Sequence, residues 1–266
     1  MWKSIAIAAA ALISAKLVPA QPTASLSFDV ASIKPAAPCC APGQWRESKV
    51  GDDRIDFRYV TLKYCIAFAY GIKEYRISGP AWTGEMRYDI IAKASPGTRR
   101  EQLPSMMQAL LSERFQLEVQ QEKKEFSVIA LLVGKNGPKL KESVSDPDAP
   151  AGASFGMSVS AAGVGRLEVK RGDMTALANT LPRLVGRPVV DMTGLSGRYD
   201  FDLEFSPQDA NGIVMPAPAA SGAPAAPEFG VSVFTSIQRV GLKLEPQKLP
   251  LDAIVVVRAE KMPTEN

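Results

Sequence analysis

The chain contains no histidine, and this absence excludes most of the side-chain chemistry found in hydrolytic enzymes. Ser-His-Asp and Cys-His nucleophiles, histidine general bases and histidine-ligated zinc all need that residue. Paired carboxylates, serine–lysine pairs and tyrosines remain as candidate catalytic groups. Ser112 and Lys123 could be such a pair, but no S-x-x-K motif stands at the start of an apolar helix. The sequence therefore predicts no catalytic residue and a protein that is not an enzyme.

Three aspartates stand in the most suggestive settings among the acidic residues. Asp191 precedes Thr193 and Gly194, but the spacing lacks the compact Asp-Thr-Gly of aspartic proteases. Asp89 and Asp200 each follow a tyrosine at equivalent positions of two similar segments. A residue that recurs in this way is more often structural, so we expect each carboxylate to bond backbone N–H groups at a turn. Walker A, G-x-G-x-x-G, C-x-x-C and EF-hand motifs are absent from the sequence, so neither a cofactor nor a metal ion is predicted.

Two tryptophans and two arginines are the best candidates for a binding surface. Trp45 and Trp82 lie in predicted loops beside glycine or proline, where a ring can stack on a sugar or contact a partner protein. Arg46 and Arg76 could add recognition of an anion. The alternatives are that the tryptophans cover the end of a small core and that the arginines are solvated charges on strands.

Three cysteines, Cys39, Cys40 and Cys65, are the candidates for a disulfide. An oxidising compartment would allow one pair to form. Neighbouring cysteines rarely bridge each other, so Cys39 or Cys40 with Cys65 is the sterically sensible pair. The alternative is that Cys65 is a small core residue on a helix.

Residues 1–20 have the pattern of an export signal. Lys3 gives a positive start, residues 4–15 form an apolar run, and residues 18–20 (Val-Pro-Ala) resemble a cleavage site. The apolar run is too short to span a bilayer, and no other stretch reaches that length. We therefore expect an exported protein, periplasmic or extracellular, without a transmembrane segment after signal cleavage. The alternative is that the signal stays uncleaved as an anchor.

The order of motifs in the middle of the chain occurs twice. Three pairs of segments match: 54–58 with 166–170, 87–89 with 198–200, and 115–118 with 242–245. The order is the same in both sets and the spacing is nearly so. We therefore predict a duplicated architecture, in which each half is built as strand, helix, hairpin, helix and hairpin.

Apolar spacing and capping residues locate the elements that would position the candidate side chains. Helices are predicted at 62–70, 101–113, 174–182 and 232–240. Thr61 and Asp173 are expected N-caps, and Gly71 is expected to end the helix 62–70. Thr98 with Glu101 has the pattern of a capping box. Hairpins are expected at 75–91, 115–133, 188–205 and 242–257. Small antiparallel sheets with helices on one face bury one side of every element, so the predicted fold class is α+β.

These elements divide the chain into consecutive parts. Residues 21–145 form the first α+β half, 146–165 a polar joint, and 166–266 the second α+β half. The second half contains an insertion at 215–227, which is rich in alanine and proline and resembles a spacer.

Several segments, in this order, are similar to the motifs of a known family. They are Phe-Asp-Val-Ala-Ser-Ile-Lys-Pro at 28–35, Gly-Pro-Ala-Trp at 79–82, Arg-Tyr-Asp-Ile at 87–90, the run 188–201, and Pro-Thr-Glu-Asn at 263–266. Together they resemble the soil-associated secreted bacterial proteins of a domain-of-unknown-function family over nearly the whole mature chain. The resemblance implies an exported protein and supplies no catalytic residues. Similar domains also occur behind membrane-bound antirepressor-like zinc peptidases, which implies an extracytoplasmic sensing or binding role.

The leading functional hypothesis is an exported, non-enzymatic binding, interaction or sensing module of the cell envelope. Its partner would be an envelope protein or a glycan. One alternative is a carboxylate-dependent envelope hydrolase, which needs two acids with raised pKa values in a pocket. Another is a structural envelope component joined to others by strand addition at a sheet edge. The net charge is +3 and no basic stripe stands out, so nucleic acid is not an expected partner.

Overall fold

The computed structural model describes residues 26–37, 46–143, 153–160, 163–206 and 232–264, and these belong to two compact units that interleave along the chain. The first unit contains the described residues up to Glu74, Gly79–Glu118 and those from Val257 onward. The second contains Tyr75–Ser78 and the described part of Val119–Val256. The units are divisions in space, whereas the predicted parts 21–145 and 166–266 are divisions of the sequence. The fold class is α+β, as predicted.

The strands and helices of the described residues have the following bounds. The strands are β1 (Val30–Pro35), β2 (Glu47–Val50), β3 (Arg54–Thr61), β4 (Ile77–Ser78), β5 (Arg87–Lys93), β6 (Glu118–Val133), β7 (Lys141–Glu142), β8 (Ser154–Val159), β9 (Gly165–Gly172), β10 (Val189–Asp191), β11 (Tyr199–Phe205) and β12 (Leu242–Arg258). The helices are α1 (Leu62–Tyr70), α2 (Trp82–Glu85), α3 (Leu103–Phe115), α4 (Met174–Thr180), α5 (Pro182–Val185) and α6 (Val233–Arg239). Short 3-10 helices occupy Glu74–Arg76 and Arg100–Gln102.

The first unit is a four-stranded antiparallel sheet in the order β1-β5-β3-β2, with α1 and α3 packed on each other. Alternate residues of β3 and β5 are apolar and buried, which is the pattern of a sheet that buries one face. Phe57, Tyr88 and Phe115 are fully buried among these elements. The ring of Tyr88 meets that of Phe115 edge to face, with centroids 5.1 Å apart. These three rings are among the largest fully buried side chains of the described residues.

Helix α1 begins and ends at the residues that the sequence predicts. The hydroxyl of Thr61 accepts a hydrogen bond from the Tyr64 N–H at 3.0 Å. Gly71 ends the helix in the left-handed region, with φ +64°, where a residue with a Cβ is strained. The helix 62–70 is thus confirmed together with both of its caps.

The predicted start of α3 is wrong by two residues. The Thr98 hydroxyl donates to the Ser95 carbonyl and does not form the predicted capping box with Glu101. Instead, the backbone N–H of Arg99 donates to the Gln102 side chain at 2.9 Å. A 3-10 turn thus precedes the α-helix, and this side-chain contact satisfies one of the donors left open at the helix start.

The C-terminal segment covers the end of α3. The Glu260 N–H donates to the Phe115 carbonyl at 2.7 Å, and the Thr264 N–H donates to the Arg114 carbonyl at 2.8 Å. The last carbonyls of a helix have no partner within it, so this segment supplies the missing donors. The Tyr88 hydroxyl also donates to the Lys261 carbonyl at 2.8 Å, and burial raises the pKa of Tyr88 to about 12.

The second unit contains two four-stranded sheets, in the orders β10-β6-β12-β4 and β7-β11-β9-β8. The first of these is mixed, because β10 pairs with β6 and β4 pairs with β12 in parallel. Helices α4, α5 and α6 bury apolar side chains in one cluster with both sheets. Asp173 caps α4 by accepting from the Ala176 N–H at 2.7 Å, as predicted, and Pro182 begins the separate helix α5.

The predicted hairpins are wrong. Strands β4 and β10 pair with β12 and β6 instead of with the strands that follow them. Residues 118–133 and 242–258 are single long strands. Pro246 and Pro250 lie within the second of these strands. In the part of the chain that the structure describes, β4 reaches only Ile254 and Val255 on the outer side of β12, so a proline facing that side costs no ladder hydrogen bond.

The order of elements in the first part of the chain recurs in the second. If β1–β6 are matched in order with β7–β12, the sheet order β1-β5-β3-β2 corresponds to the sheet order β7-β11-β9-β8. In the same matching, α1 corresponds to α4 and α3 corresponds to α6. The predicted duplication therefore has the element order that it requires. That the two halves superpose in space stays a prediction.

Candidate functional site

Arg46 lies in a small charged and aromatic cluster of the first unit. Its guanidinium is 2.9 Å from the Glu74 carboxylate, and both side chains are partly exposed. The same guanidinium stands 4.1 Å from the centroid of the Tyr64 ring, which is the geometry of a cation–π contact. Arg46 is thus held by two partners, and neither an ion pair of this exposure nor such a contact adds much stability.

Trp82 begins the short helix α2 and does not lie in the predicted loop. Its side chain is half-buried, and α2 contacts α1. The neighbouring Thr83 is buried and donates its hydroxyl to the Pro80 carbonyl at 2.8 Å. Trp45 lies outside the described residues. The role of Trp82 in ligand contact stays a prediction.

Arg76 belongs to the second unit, where it bonds to β12. Its Nε donates to the Asp252 carbonyl at 2.6 Å, and its side chain is only 17% exposed. This arginine therefore has a structural partner in the parallel pair of β4 with β12.

Cys65 is fully buried on α1. Burial raises the pKa of its thiol well above the ordinary range, which leaves it protonated and unreactive. Cys39 and Cys40 lie outside the described residues, so the predicted disulfide stays a prediction.

Asp89 and Asp200 have the same structural role in the two sheets. Tyr59 and Arg171 have left-handed backbones, with φ +54° and +53°, at bulges of β3 and β9. The Tyr59 N–H donates to Asp89 Oδ1 at 2.9 Å, and the Arg171 N–H donates to Asp200 Oδ1 at 2.7 Å. Each carboxylate thus satisfies a backbone donor that the bulge takes out of the ladder, which confirms the structural role predicted for both.

Asp191 also has structural partners. Its Oδ1 accepts hydrogen bonds from the N–H and the hydroxyl of Thr193, at 3.0 and 2.8 Å. Its Oδ2 accepts from the Thr175 hydroxyl at 3.4 Å. A carboxylate that holds its own turn in this way is explained without catalysis.

An open groove runs between β1 and the end of α3 in the first unit. We call it the β1–α3 groove. Its volume is about 300 Å³, and its lining residues are Ser32, Ile33, Lys34, Pro35, Arg114, Met262, Pro263 and Thr264. A second depression of about 270 Å³ shares Arg114 and continues past Val30, Leu110 and Glu113. The C-terminal segment that caps α3 therefore also forms one wall of the groove.

The β1 wall of the groove is a sheet edge. The Ala36 N–H donates to the Arg87 carbonyl, and the register pairs Lys34 with Asp89. Since bonded and non-bonded pairs alternate along antiparallel strands, the N–H and C=O of Ile33 point away from β5. Pro35 falls on the same side, where its missing N–H removes no bond to β5.

Arg114 forms the opposite wall and has an incompletely satisfied guanidinium. Nη1 donates to the Thr264 carbonyl at 3.3 Å. Nε is 3.4 Å from Glu113 Oε1, but it is buried and makes no hydrogen bond within the described residues. A buried N–H without an acceptor costs free energy, and this Nε has almost no surface open to solvent.

Sequence reasoning missed Arg114. The predicted helix ended at residue 113, so Arg114 was placed outside it. The observed helix contains Arg114 in its last turn, where a basic side chain is ordinary because it complements the helix dipole. Arg114 donates a hydrogen bond to Thr264, which lies 150 positions away in the sequence. A contact over this separation leaves no local signal in the sequence.

The described residues hold neither a membrane-crossing helix nor a cluster of metal ligands. None of their helices is long and apolar enough to cross a membrane. They also contain no group of three or more His, Cys, Asp or Glu side chains that could hold a metal ion.

Comparison with known proteins agrees with the resemblance in the motifs. No curated protein and no solved structure matches the chain. A family model described as a protein of unknown function (DUF3738) matches residues 63–259, a range that includes α3 with Arg114 and begins after β1. The chain therefore belongs to the DUF3738 family of proteins of unknown function.

Proposed function

We propose that this protein is an exported, non-enzymatic binding module of the cell envelope, and that a partner protein docks in the β1–α3 groove. The observation that carries the proposal is the groove itself, which is lined by Ile33 of the β1 edge on one side and by the positive Arg114 on the other. The signal-like pattern of residues 1–20 supports export.

The alternative of a carboxylate-dependent hydrolase has weaker support. Two acids, Asp29 and Glu113, line the continuation of the groove. Asp29 accepts a hydrogen bond from the Ser95 hydroxyl at 2.7 Å, and Glu113 lies beside the positive Arg114. Each of these two carboxylates therefore has a partner of its own within the fold. Binding is therefore the better account of this groove.

Charge reversal in the groove tests the proposal. Immobilised protein is exposed to an envelope extract, and captured proteins are identified by mass spectrometry. Lys34→Glu should abolish capture of a specific partner, because Lys34 is exposed at the groove. Lys49→Glu is the matched control, since Lys49 is exposed on β2 at the opposite edge of the same sheet. Equal capture by the native protein and both variants would contradict docking in the groove.

Export has its own test. The amino terminus of the protein recovered from outside the cytoplasm should begin near Gln21, because residues 18–20 have the pattern of a cleavage site. A full-length chain that stays in the cytoplasm would contradict the proposed location.

A further inference from the structure

We infer that the segment bound in the β1–α3 groove is an extended peptide, which pairs with the outer side of β1 and places a carboxylate on Arg114. This inference rests on the proposed function and names the chemistry of its partner.

The backbone of β1 offers the hydrogen bonds that an added strand needs. Ile33 presents both its N–H and its C=O to the groove, and Pro35 presents a C=O. A peptide that pairs with one outward-facing residue can exchange two hydrogen bonds with it, which is how sheets accept an extra strand. Ala31 already has an interaction partner and is not needed. Pro35 has no N–H to donate, so the paired stretch is short.

The charge at the end of the groove selects an acidic ligand group. Arg114 and the exposed Lys34 both line it. The Nε of Arg114 is buried 3.4 Å from Glu113, so an incoming acceptor would bond to the terminal Nη groups of the guanidinium. A guanidinium binds a carboxylate with two parallel N–H bonds, which a lysine cannot reproduce. The ligand carboxylate belongs either to an acidic side chain or to a peptide C-terminus.

The size of the groove agrees with a short peptide segment. Its volume of about 300 Å³ is at the lower end of ordinary ligand pockets. A few residues of an extended chain fit such a space, while the rest of the partner stays in solvent.

Peptide selection tests the inference. Two random-peptide libraries are selected on the purified protein, one with free C-termini and one with the peptides amidated at the C-terminus. We expect enriched peptides to carry an acidic residue in both libraries if a side chain is bound, or enrichment only with free C-termini if the terminus is bound. Either result supports the shared carboxylate chemistry. Enriched peptides without any carboxylate requirement, or no enrichment, would overturn it.

Variants link the selected peptide to the two walls. Arg114→Gln should weaken binding by at least about tenfold, which corresponds to about 1.4 kcal/mol, and Arg114→Lys should recover part of the loss. Ile33→Pro removes the outward N–H and should also weaken binding, while Lys49→Gln on β2 should not. Melting temperatures check that each variant is folded. If Arg114→Gln does not fold, the affinity of Arg114→Lys is compared with that of the native protein instead. Unchanged affinity in folded Arg114→Gln would overturn the inference.

The two proposals fail in different ways. If capture of the envelope partner is lost in Lys34→Glu but unchanged in Arg114→Gln, the proposed function stands and the carboxylate inference falls. If capture is independent of all groove variants, both fall.

Discussion

At the scale of single residues, three aspartates in suggestive settings, Asp89, Asp191 and Asp200, accept hydrogen bonds from the backbone. Asp89 and Asp200 were predicted to be structural because they recur at equivalent positions, and their carboxylates hold two strand bulges. Arg114 could not be predicted in the same way. Its importance depends on the packing of α3 against a segment that lies 150 positions away in the sequence, and no local pattern records that contact.

The Asp200 carboxylate should contribute stability that depends on pH. The hydrogen bond from the Arg171 N–H, with help from Ser143, lowers the pKa of Asp200 below its ordinary value of 3.8. A lowered pKa in the folded state means that the stabilisation is complete above the unfolded value and is lost as pH falls through the folded value. The free energy of unfolding should therefore fall more steeply below about pH 4 in the native protein than in Asp200→Asn. Identical pH dependence in the two proteins would contradict this role.

Phe115 should be among the most costly residues to truncate. It is fully buried at the end of α3, and not in a strand as the sequence pattern indicated. Phe115→Ala should lower the free energy of unfolding by about 3–5 kcal/mol. Phe234→Ala is the comparison, because Phe234 is 41% exposed. In chemical denaturation, Phe234→Ala should lower the free energy of unfolding by less than half as much as Phe115→Ala. Equal costs would mean that Phe115 is not a core residue.

At the scale of elements, local signals located the helices and failed to locate the strand pairs. Helix α1 has the bounds and both caps that the sequence predicts, because capping depends on residues within a turn of the helix end. The partner of a strand is not local. Strand β4 pairs with β12, and the Ser78 hydroxyl bonds to the Ile254 carbonyl across 176 positions. Turn-like residues between two apolar runs therefore predicted hairpins that do not exist.

Two threonines that both have the sequence pattern of a helix cap should differ in their effect on stability. Thr61 caps α1 through its hydroxyl, so Thr61→Ala should cost about 1 kcal/mol. The Thr98 hydroxyl donates to the Ser95 carbonyl instead of capping α3, so Thr98→Ala should stay within about 0.5 kcal/mol. Urea denaturation of both variants distinguishes them, and equal losses would show that the observed cap on α1 is unimportant.

At the scale of the whole molecule, the similar order of elements supports the predicted duplication. The bulges of β3 and β9, each with a left-handed residue bonded by an aspartate, occur at matching places. We expect α1 to superpose on α4 and α3 on α6, together with their sheets. If only single elements superpose, the similarity of the two halves arose by chance.

The same comparison indicates where the two halves differ in function. In the matching of elements, β1 corresponds to β7 and α3 to α6. Strand β7 spans only Lys141–Glu142, and α6 is about half as long as α3. The first half therefore has a longer edge strand and a longer helix at the groove than the second half has at the matching place. A binding surface should use features that the halves do not share.

The most direct test of the β1–α3 groove is hydrogen–deuterium exchange of the protein with and without its captured partner. Backbone N–H groups that become bonded on binding exchange more slowly. We predict new protection at Ile33 of β1, whose N–H faces the groove, and at the C-terminal turn of α3 around Arg114, with no change on β2. Protection confined to α2 around Trp82, or to the second unit, would contradict the claim that the groove is the binding site.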